Sequence, residues 1–452
     1  MSGLPALGYG VATSAYQIEG AVAEDGRGPS VWDVFTRQPG VVLDGTDGSV
    51  ACDSYHRLDD DLVLLSALGV SAYRFSIAWP RVQPLGHGRI EPRGLDYYDR
   101  LVDGLLARGL RPFPTLYHWD LPQPLEDAGG WPVRDTAERF ADYARAVAGR
   151  LGDRIDTWAT HNEPWCTAFL GYAAGAFAPG RRDPHAAYAA AHHLLLSHAL
   201  AGAALRAEVA GAQVGLVLNL APVWLDRDGD PAAADHVDAV QNRLWLDPLT
   251  RGAYPELLAS RALTPAGVAL PEDLERIRGS VDWLGVNYYT PFRIGAAGSA
   301  GSGVGQDAGG YPGAPDFAFR PRGPLTTMGW EVEASGLEEV LRRVAEELPG
   351  LPLRVTENGA AFPDDARGPA GEVEDLDRID YLRRHLAAVE RVRAAGVPVL
   401  DYFAWSLLDN FEWAQGYTQT FGLVSVDPVT RQRTPKRSFS WYAGQARAGS
   451  AR

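Results

Sequence analysis

At 452 residues, with 46% hydrophobic and 22% charged content, the chain is globular and has ample material for a core, either as two or three ordinary domains or as one large barrel. Its formal net charge of −15 argues against a nucleic-acid partner, which needs clustered cations, and more weakly against an acidic substrate. No stretch approaches 18 apolar residues, so no membrane-spanning helix and no membrane partner are expected.

From residue 8 onward one grammar recurs along the chain. An amphipathic helix ends near a glycine, a short buried strand follows, and a polar or aromatic residue stands at the strand's exit. Residues 8–15 read as the opening strand. Helices over 62–68 and 101–108 lead into strands ending at Arg74 and at Tyr117-His118-Trp119. A helix over 140–151 leads into a strand over 155–160 that exits on Asn162-Glu163. Helices over 194–210 and 274–278 lead into strands ending at Asn219 and at Asn287-Tyr288-Tyr289. Helices over 340–348 and 381–395 lead into strands ending at Glu357 and at Trp405-Ser406. Eight such units predict a parallel α/β barrel of the (β/α)8 TIM type with extended βα loops. Its site is expected at the C-terminal strand ends, and the whole chain is expected to form one domain. Residues 295–324, rich in Gly, Ala, Ser and Pro, read as a mobile loop beside that site.

Several features point to nothing further. Gly303-Val304-Gly305-Gln306-Asp307-Ala308 matches a dinucleotide fingerprint, but it follows no strand and precedes no helix, so no nucleotide role is expected. His185, His192, His193 and His198 share one alanine-rich helix without the i,i+4 spacing of metal ligands; packing or hydrogen bonding is their expected role. Cys52 and Cys166, the only cysteines, make neither a disulfide framework nor a zinc site. With no basic-then-apolar leader in residues 1–10, they predict a reducing, cytoplasmic setting. No metal or cofactor is expected. Lys436 is the only lysine among 42 basic residues, a skew of composition without functional content.

The chemistry sits in two stretches. Trp158-Ala159-Thr160-His161-Asn162-Glu163-Pro164 and Leu353-Arg354-Val355-Thr356-Glu357-Asn358-Gly359 each read as a buried strand delivering a carboxylate to its exit. Pro164 is expected to hold Glu163 in extended or polyproline angles, keeping the carboxylate at the strand mouth and out of the next helix. Glycoside cleavage needs one carboxylic acid to protonate the departing oxygen and one carboxylate on the other face of the sugar. Two strand-end glutamates opening into one site meet that need.

On these residues the chain resembles glycoside hydrolase family one, the β-glucosidase family, whose hallmarks Thr-x-Asn-Glu-Pro and Thr-Glu-Asn-Gly stand here at 160–164 and 356–359. The resemblance runs from about Gly8 to Tyr442 and includes Ala15-Tyr16-Gln17-Ile18-Glu19-Gly20, Tyr73-Arg74-Phe75-Ser76-Ile77-Ala78-Trp79, Leu116-Tyr117-His118-Trp119-Asp120, Asn410-Phe411-Glu412-Trp413 and Arg433-Thr434-Pro435-Lys436. It departs at Pro124, where the family often has Trp or another bulky residue, and at Ser425, where it often has Tyr.

The resemblance implies a retaining β-glycosidase that hydrolyses terminal β-D-glucosyl residues by double displacement, with β-galactosides and β-fucosides left open as further substrates, acting on a small β-glycoside or short oligosaccharide as a monomer or homo-oligomer. Glu163 would be acid/base and Glu357 nucleophile, at a carboxyl separation of roughly 5–5.5 Å. Arg74 is expected to hold Glu357 ionised, Tyr289 to donate to it, and Asn162 to bind the sugar 2-hydroxyl. Gln17, His118, Glu412 and Trp413 match hydroxyl-binding groups, and Trp405 the floor under the sugar ring. Asn219 and Asn287 match supporting amides, Trp330 the aglycone-side aromatic, and Phe421 completes the binding set. The competing readings are a 6-phospho-β-glycosidase, disfavoured by Glu412 and by the absence of lysine from 413 to 421, and a non-catalytic sugar-binding barrel, disfavoured by both glutamates.

Overall fold

The computed structural model describes residues 3–260, 268–298, 308–368 and 371–450. Eight parallel strands close into a barrel: β1 (Gly8–Ala12), β2 (Ala72–Ser76), β3 (Arg111–Tyr117), β4 (Thr157–Asn162), β5 (Gln213–Asn219), β6 (Trp283–Asn287), β7 (Leu353–Asn358) and β8 (Val399–Trp405). Each pairs with its sequence neighbours, and β8 closes on β1 through the register Gly8↔Asp401 to Ala12↔Trp405. The major outer helices are Leu58–Leu68, Pro92–Leu106, Arg134–Leu151, Pro184–Glu208, Pro271–Ile277, Ala334–Glu347, Leu376–Ala394 and Arg437–Ser450. The barrel and its helical coat agree with the expectation, and the element bounds differ by a few residues. The opening strand stops at Ala12, and Ala15–Ile18 forms a helical turn that brings Gln17 toward the barrel mouth.

Large side chains plug the barrel below the site. Phe113 packs on Trp283 and Phe403 at centroid distances of 5.1 and 5.0 Å. The Arg354 guanidinium lies over Phe113 and Trp283 and pairs with Asp401. Gly215 on β5 has to be glycine, because a Cβ there would collide with the Trp283 ring.

The tethers of β4 explain half of its motif. Thr160 Oγ1 meets His198 Nδ1 at 2.7 Å and His161 Nε2 meets Ser197 Oγ at 2.8 Å, fastening the strand to Pro184–Glu208. On the same helix, His192 bonds Tyr254 and Asp273, His193 bonds the Trp131 carbonyl, and His185 is exposed.

Within 295–324, of which 299–307 lie outside the described residues, two short segments depart from the loop expectation. Phe292–Ala296 pairs antiparallel with Phe317–Phe319 and parallel with Val223–Leu225, giving a three-stranded sheet. Phe292, Phe317 and Phe319 are buried around Tyr311, so apolar packing at both ends of the stretch outweighs its glycine-rich composition. The fingerprint at 303–308 lies outside the described residues except for Ala308.

The chain after β8 is clamped from below. Lys436, buried, donates to Asp409 Oδ1 at 2.8 Å and to Asp364, while Asp409 Oδ1 also accepts from the Gly422 amide at 2.8 Å. Arg378 ties Asp364 and Asp375 to the Thr420 carbonyl. These bonds hold the segment carrying Glu412, Trp413 and Phe421 against the barrel. Ser425 lies on the small pair Val424–Val426 and Arg433–Pro435, and Pro124 within Gln123–Asp127.

Candidate active site

At the C-terminal end of the barrel, β4 and β7 both lose regular pairing just before their glutamates. The β4–β5 register shifts between Ala159 and Asn162, and the β7–β6 register between Val355 and Glu357. Such irregularities re-aim side chains.

Glu163 then turns sharply, with φ of 45°, and Pro164 opens the following helical segment. This corrects the extended geometry expected from Pro164. Proline fits the first turn of a helix because its missing N–H needs no partner there, so the turn falls on Glu163. A positive φ at a non-glycine residue is strained and needs fixing by its surroundings. The Glu163 amide donates to the Val217 carbonyl at 2.9 Å and its carbonyl accepts from the Cys166 amide at 2.9 Å. Trp119 and Trp413, which also line the site, have positive φ as well.

The second motif explains itself residue by residue. Thr356 Oγ1 donates to Asn287 Oδ1 at 2.7 Å, and Asn358 Nδ2 donates to the Tyr288 carbonyl at 2.6 Å while its Oδ1 accepts from Tyr402. A Cβ at Gly359 would strike the Trp405 carbonyl.

The two glutamates sit in contrasting surroundings. Glu357 accepts from Arg74 Nη1 through Oε1 and from the Tyr289 hydroxyl through Oε2, both at 2.6 Å. Glu163 accepts from Asn287 Nδ2 through Oε1 at 2.7 Å and from the Cys166 thiol through Oε2 at 3.2 Å. Burial, and then the nearby Glu357 charge, push the Glu163 carboxyl well above the ordinary glutamate range. The pair is wired together, since Asn162 Oδ1 accepts from Arg74 Nη2 at 2.6 Å and from Asn287 Nδ2 at 3.0 Å.

Those two donors fix the Asn162 amide, so its Nδ2 is the group that meets His118 Nε2 at 3.1 Å. Burial and the Arg74 charge hold His118 well below its usual pKa, so the ring is neutral. Nε2 accepts, the proton stands on Nδ1, and among the described residues Nδ1 has no partner. A lone donor therefore remains for a ligand hydroxyl.

One cavity unites most of the expected residues: His118, Glu163, Asn219, Asn287, Tyr289, Trp330, Glu357, Trp405, Glu412, Trp413 and Phe421 line it. Gln17, Arg74 and Asn162 stand behind that surface. Gln17 spends its amide hydrogens on Asn410 Oδ1 and the Phe411 carbonyl, both at 2.9 Å. Trp405 and Trp413 stack against the His118 ring at 5.9 and 6.0 Å. Trp330 and Phe421 flank Tyr289. Among the described residues Glu412 Oε2 has no partner; burial and the Glu357 and Glu163 charges push its carboxyl up to about 8.

The outer wall adds Trp165, Leu170, Phe177 and Met328, none of them singled out by the sequence. Cys166 is the clearest omission. Pro164 starting a helical turn would have placed residue 166 one turn beyond Glu163, facing back at it.

The model of glycosyl hydrolase family 1 matches residues 6–449. The chain belongs to this family. Among its relatives, the thermostable β-glucosidase B of Thermobispora bispora is 49% identical over 446 residues, covering 98% of this chain and 90% of that one. The bifunctional β-D-glucosidase/β-D-fucosidase of Bifidobacterium breve is 49% identical over 444 residues, 96% of each. Among solved family 1 structures, Thermotoga maritima β-glucosidase in complex with deoxynojirimycin has a TM-score of 0.91 at 40% identity, covering 99% of each chain. Family 1 is an enzyme family, and this member carries its barrel; among the described residues no helix is long and apolar enough to cross a membrane.

Proposed function

We propose that the chain, as one barrel unit, hydrolyses terminal β-D-glucosyl residues of small glucosides and short oligosaccharides with retention of configuration. The observation that carries this reading is the opposite treatment of the two glutamates. Glu357 has a hydrogen-bond donor on each oxygen, one of them a guanidinium, which suits a standing carboxylate. Glu163, buried and facing that charge, holds its proton.

In the first step Glu163 gives that proton to the glycosidic oxygen as the bond from it to C1 breaks and a Glu357 oxygen bonds C1. The alcohol leaves. Glu357, now an ester, no longer carries the charge that raised the Glu163 pKa, so Glu163 remains ionised and becomes the base. It takes a proton from water, the water oxygen bonds C1, the ester bond breaks, and both carboxyls return to their starting states.

The unpartnered His118 Nδ1 and Glu412 Oε2 would bind sugar hydroxyls, with Trp405 under the ring. A β-fucoside is a second substrate in this reading, favoured by the Bifidobacterium breve relative. Glu412 disfavours a 6-phosphate. Free Cys52 and Cys166, both buried, support a reducing, cytoplasmic location. A panel of nitrophenyl β-glycosides including the 6-phosphoglucoside tests the proposal. Fastest turnover of the unphosphorylated glucoside or fucoside is expected, and absence of turnover on all of them overturns it.

A further inference from the structure

Glu163 Oε1 receives Asn287 Nδ2, a donor that cannot accept, and this contact resists a proton on Oε1. Oε2 has a different neighbour. The Cys166 thiol lies 3.2 Å away and has Asn219 Nδ2, from β5, at 3.7 Å on its sulfur. A thiol is a weak donor and a weak acceptor. It can take an O–H from the protonated carboxyl, and it can give its S–H to the carboxylate once the proton has gone. Burial and the Glu163 charge push the Cys166 thiol well above its ordinary pKa, so the S–H is retained throughout.

We propose that Cys166 is a positioning residue for Glu163: its thiol partners Oε2 in both charge states, so that Oε2, and not the Asn287-bound Oε1, gives and takes the catalytic proton. The inference rests on Glu163 being the acid/base. It adds a residue three positions along the chain that fixes which oxygen does the work. The other groups whose charge reaches this carboxyl or its thiol are Glu357 and Arg74 from β7 and β2, Tyr289 after β6 and Glu412 after β8. Each is held by its own contacts or stands across the cavity, and among the described residues only the thiol meets Oε2.

The test compares Cys166→Ala and Cys166→Ser with the parent enzyme, following kcat/KM for an alkyl β-glucoside across pH. Loss of the S–H donor in Cys166→Ala removes an interaction that favours the carboxylate. The alkaline limb should therefore move upward by about half a pH unit, with kcat falling about 3–10-fold. Cys166→Ser, which keeps a donor and acceptor in the same place, should return the limb to the parent position and recover most of the rate. An unchanged limb in a folded Cys166→Ala, or a serine variant whose limb is displaced like that of alanine, overturns the proposal. Where the alanine protein fails to fold, Cys166→Val supplies the same comparison. Glu163→Gln in the same assay separates the two ideas: if it loses alkyl-glucoside turnover while Cys166→Ala is silent, only the role of Cys166 falls. If Glu163→Gln keeps that turnover, the acid/base reading itself falls.

Discussion

Arg74 and Glu357 meet at 2.6 Å with only 1% and 4% of their side chains exposed, and the same guanidinium reaches Asn162 Oδ1 and the Thr356 carbonyl. A buried ion pair is weak evidence for stability, but removing one partner leaves the other charge unpaired, at a cost of about 3–5 kcal/mol. Arg74→Met should therefore lower the melting temperature markedly and abolish turnover. Arg74→Lys should keep the charge yet recover little activity, because an ammonium cannot span Glu357 and Asn162 at once. Calorimetry with steady-state kinetics checks both; near-parental kcat in Arg74→Lys would show that charge alone suffices.

Glu163→Gln should cripple hydrolysis of alkyl glucosides, whose leaving groups need a proton. A dinitrophenyl glucoside should still form the glycosyl-enzyme in a burst and then stall. As the proposed general acid, Glu163 works in its protonated form. Its raised pKa extends activity upward in pH, and activity should fall as pH rises through that pKa. Equal loss of both substrates in the variant would assign Glu163 a structural role.

Retention is read directly by proton NMR of the first-formed sugar, which should be the β-anomer from a β-glucoside. Glu357→Ala should be inactive, and added azide should occupy the vacated space and return the α-glycosyl azide. An α-anomeric first product from the unmodified enzyme would show an inverting mechanism.

Glu412 predicts both specificity and stability. The 6-phosphate of a substrate glucoside should be turned over at least about tenfold less efficiently than the parent sugar, since a dianion would face a buried carboxyl. The carboxyl's pKa is raised to about 8 in the folded protein, so between its ordinary value and about 8 the native state holds a proton that the unfolded chain releases. Stability attributable to this group therefore declines as pH rises through that window. Glu412→Gln should raise the melting temperature relative to the parent at pH 8 and hardly change it at pH 4, while glucoside turnover falls. A variant no more stable than the parent at pH 8 would remove the argument.

The barrel was legible because each strand is a short apolar run with a polar exit, and that pattern survives without tertiary knowledge; at its mouth Gln17, Trp330, Glu412, Trp413 and Phe421 stand off the strand exits and were legible only through the resemblance to family one. Glu163 and Glu357 were legible for the same reason, being carboxylates at the ends of apolar strands. The Glu163 backbone was not, because the rule for a residue before proline describes an isolated chain, whereas here Pro164 opens a helix and Val217 and Cys166 hold the turn. Cys166 escaped notice because a cysteine suggests metal or disulfide first, and its actual partners are Glu163, just past the end of β4, and Asn219 on β5. The Phe292–Ala296 and Phe317–Phe319 pair was hidden by the glycine-rich composition between its strands. Its pairing depends on Tyr311 and Val223–Leu225, which local propensity does not encode.

The clamp beneath the segment carrying Glu412, Trp413 and Phe421 has a practical corollary. Lys436 is the chain's one lysine, and its Nζ is enclosed between Asp364 and Asp409 with none of the side chain exposed. Every basic side chain that reaches solvent, histidine apart, is a guanidinium. Succinimidyl esters, glutaraldehyde and reductive alkylation therefore meet no lysine on the native surface, and modification of Lys436 by such reagents would report the opening of the loop that carries Glu412.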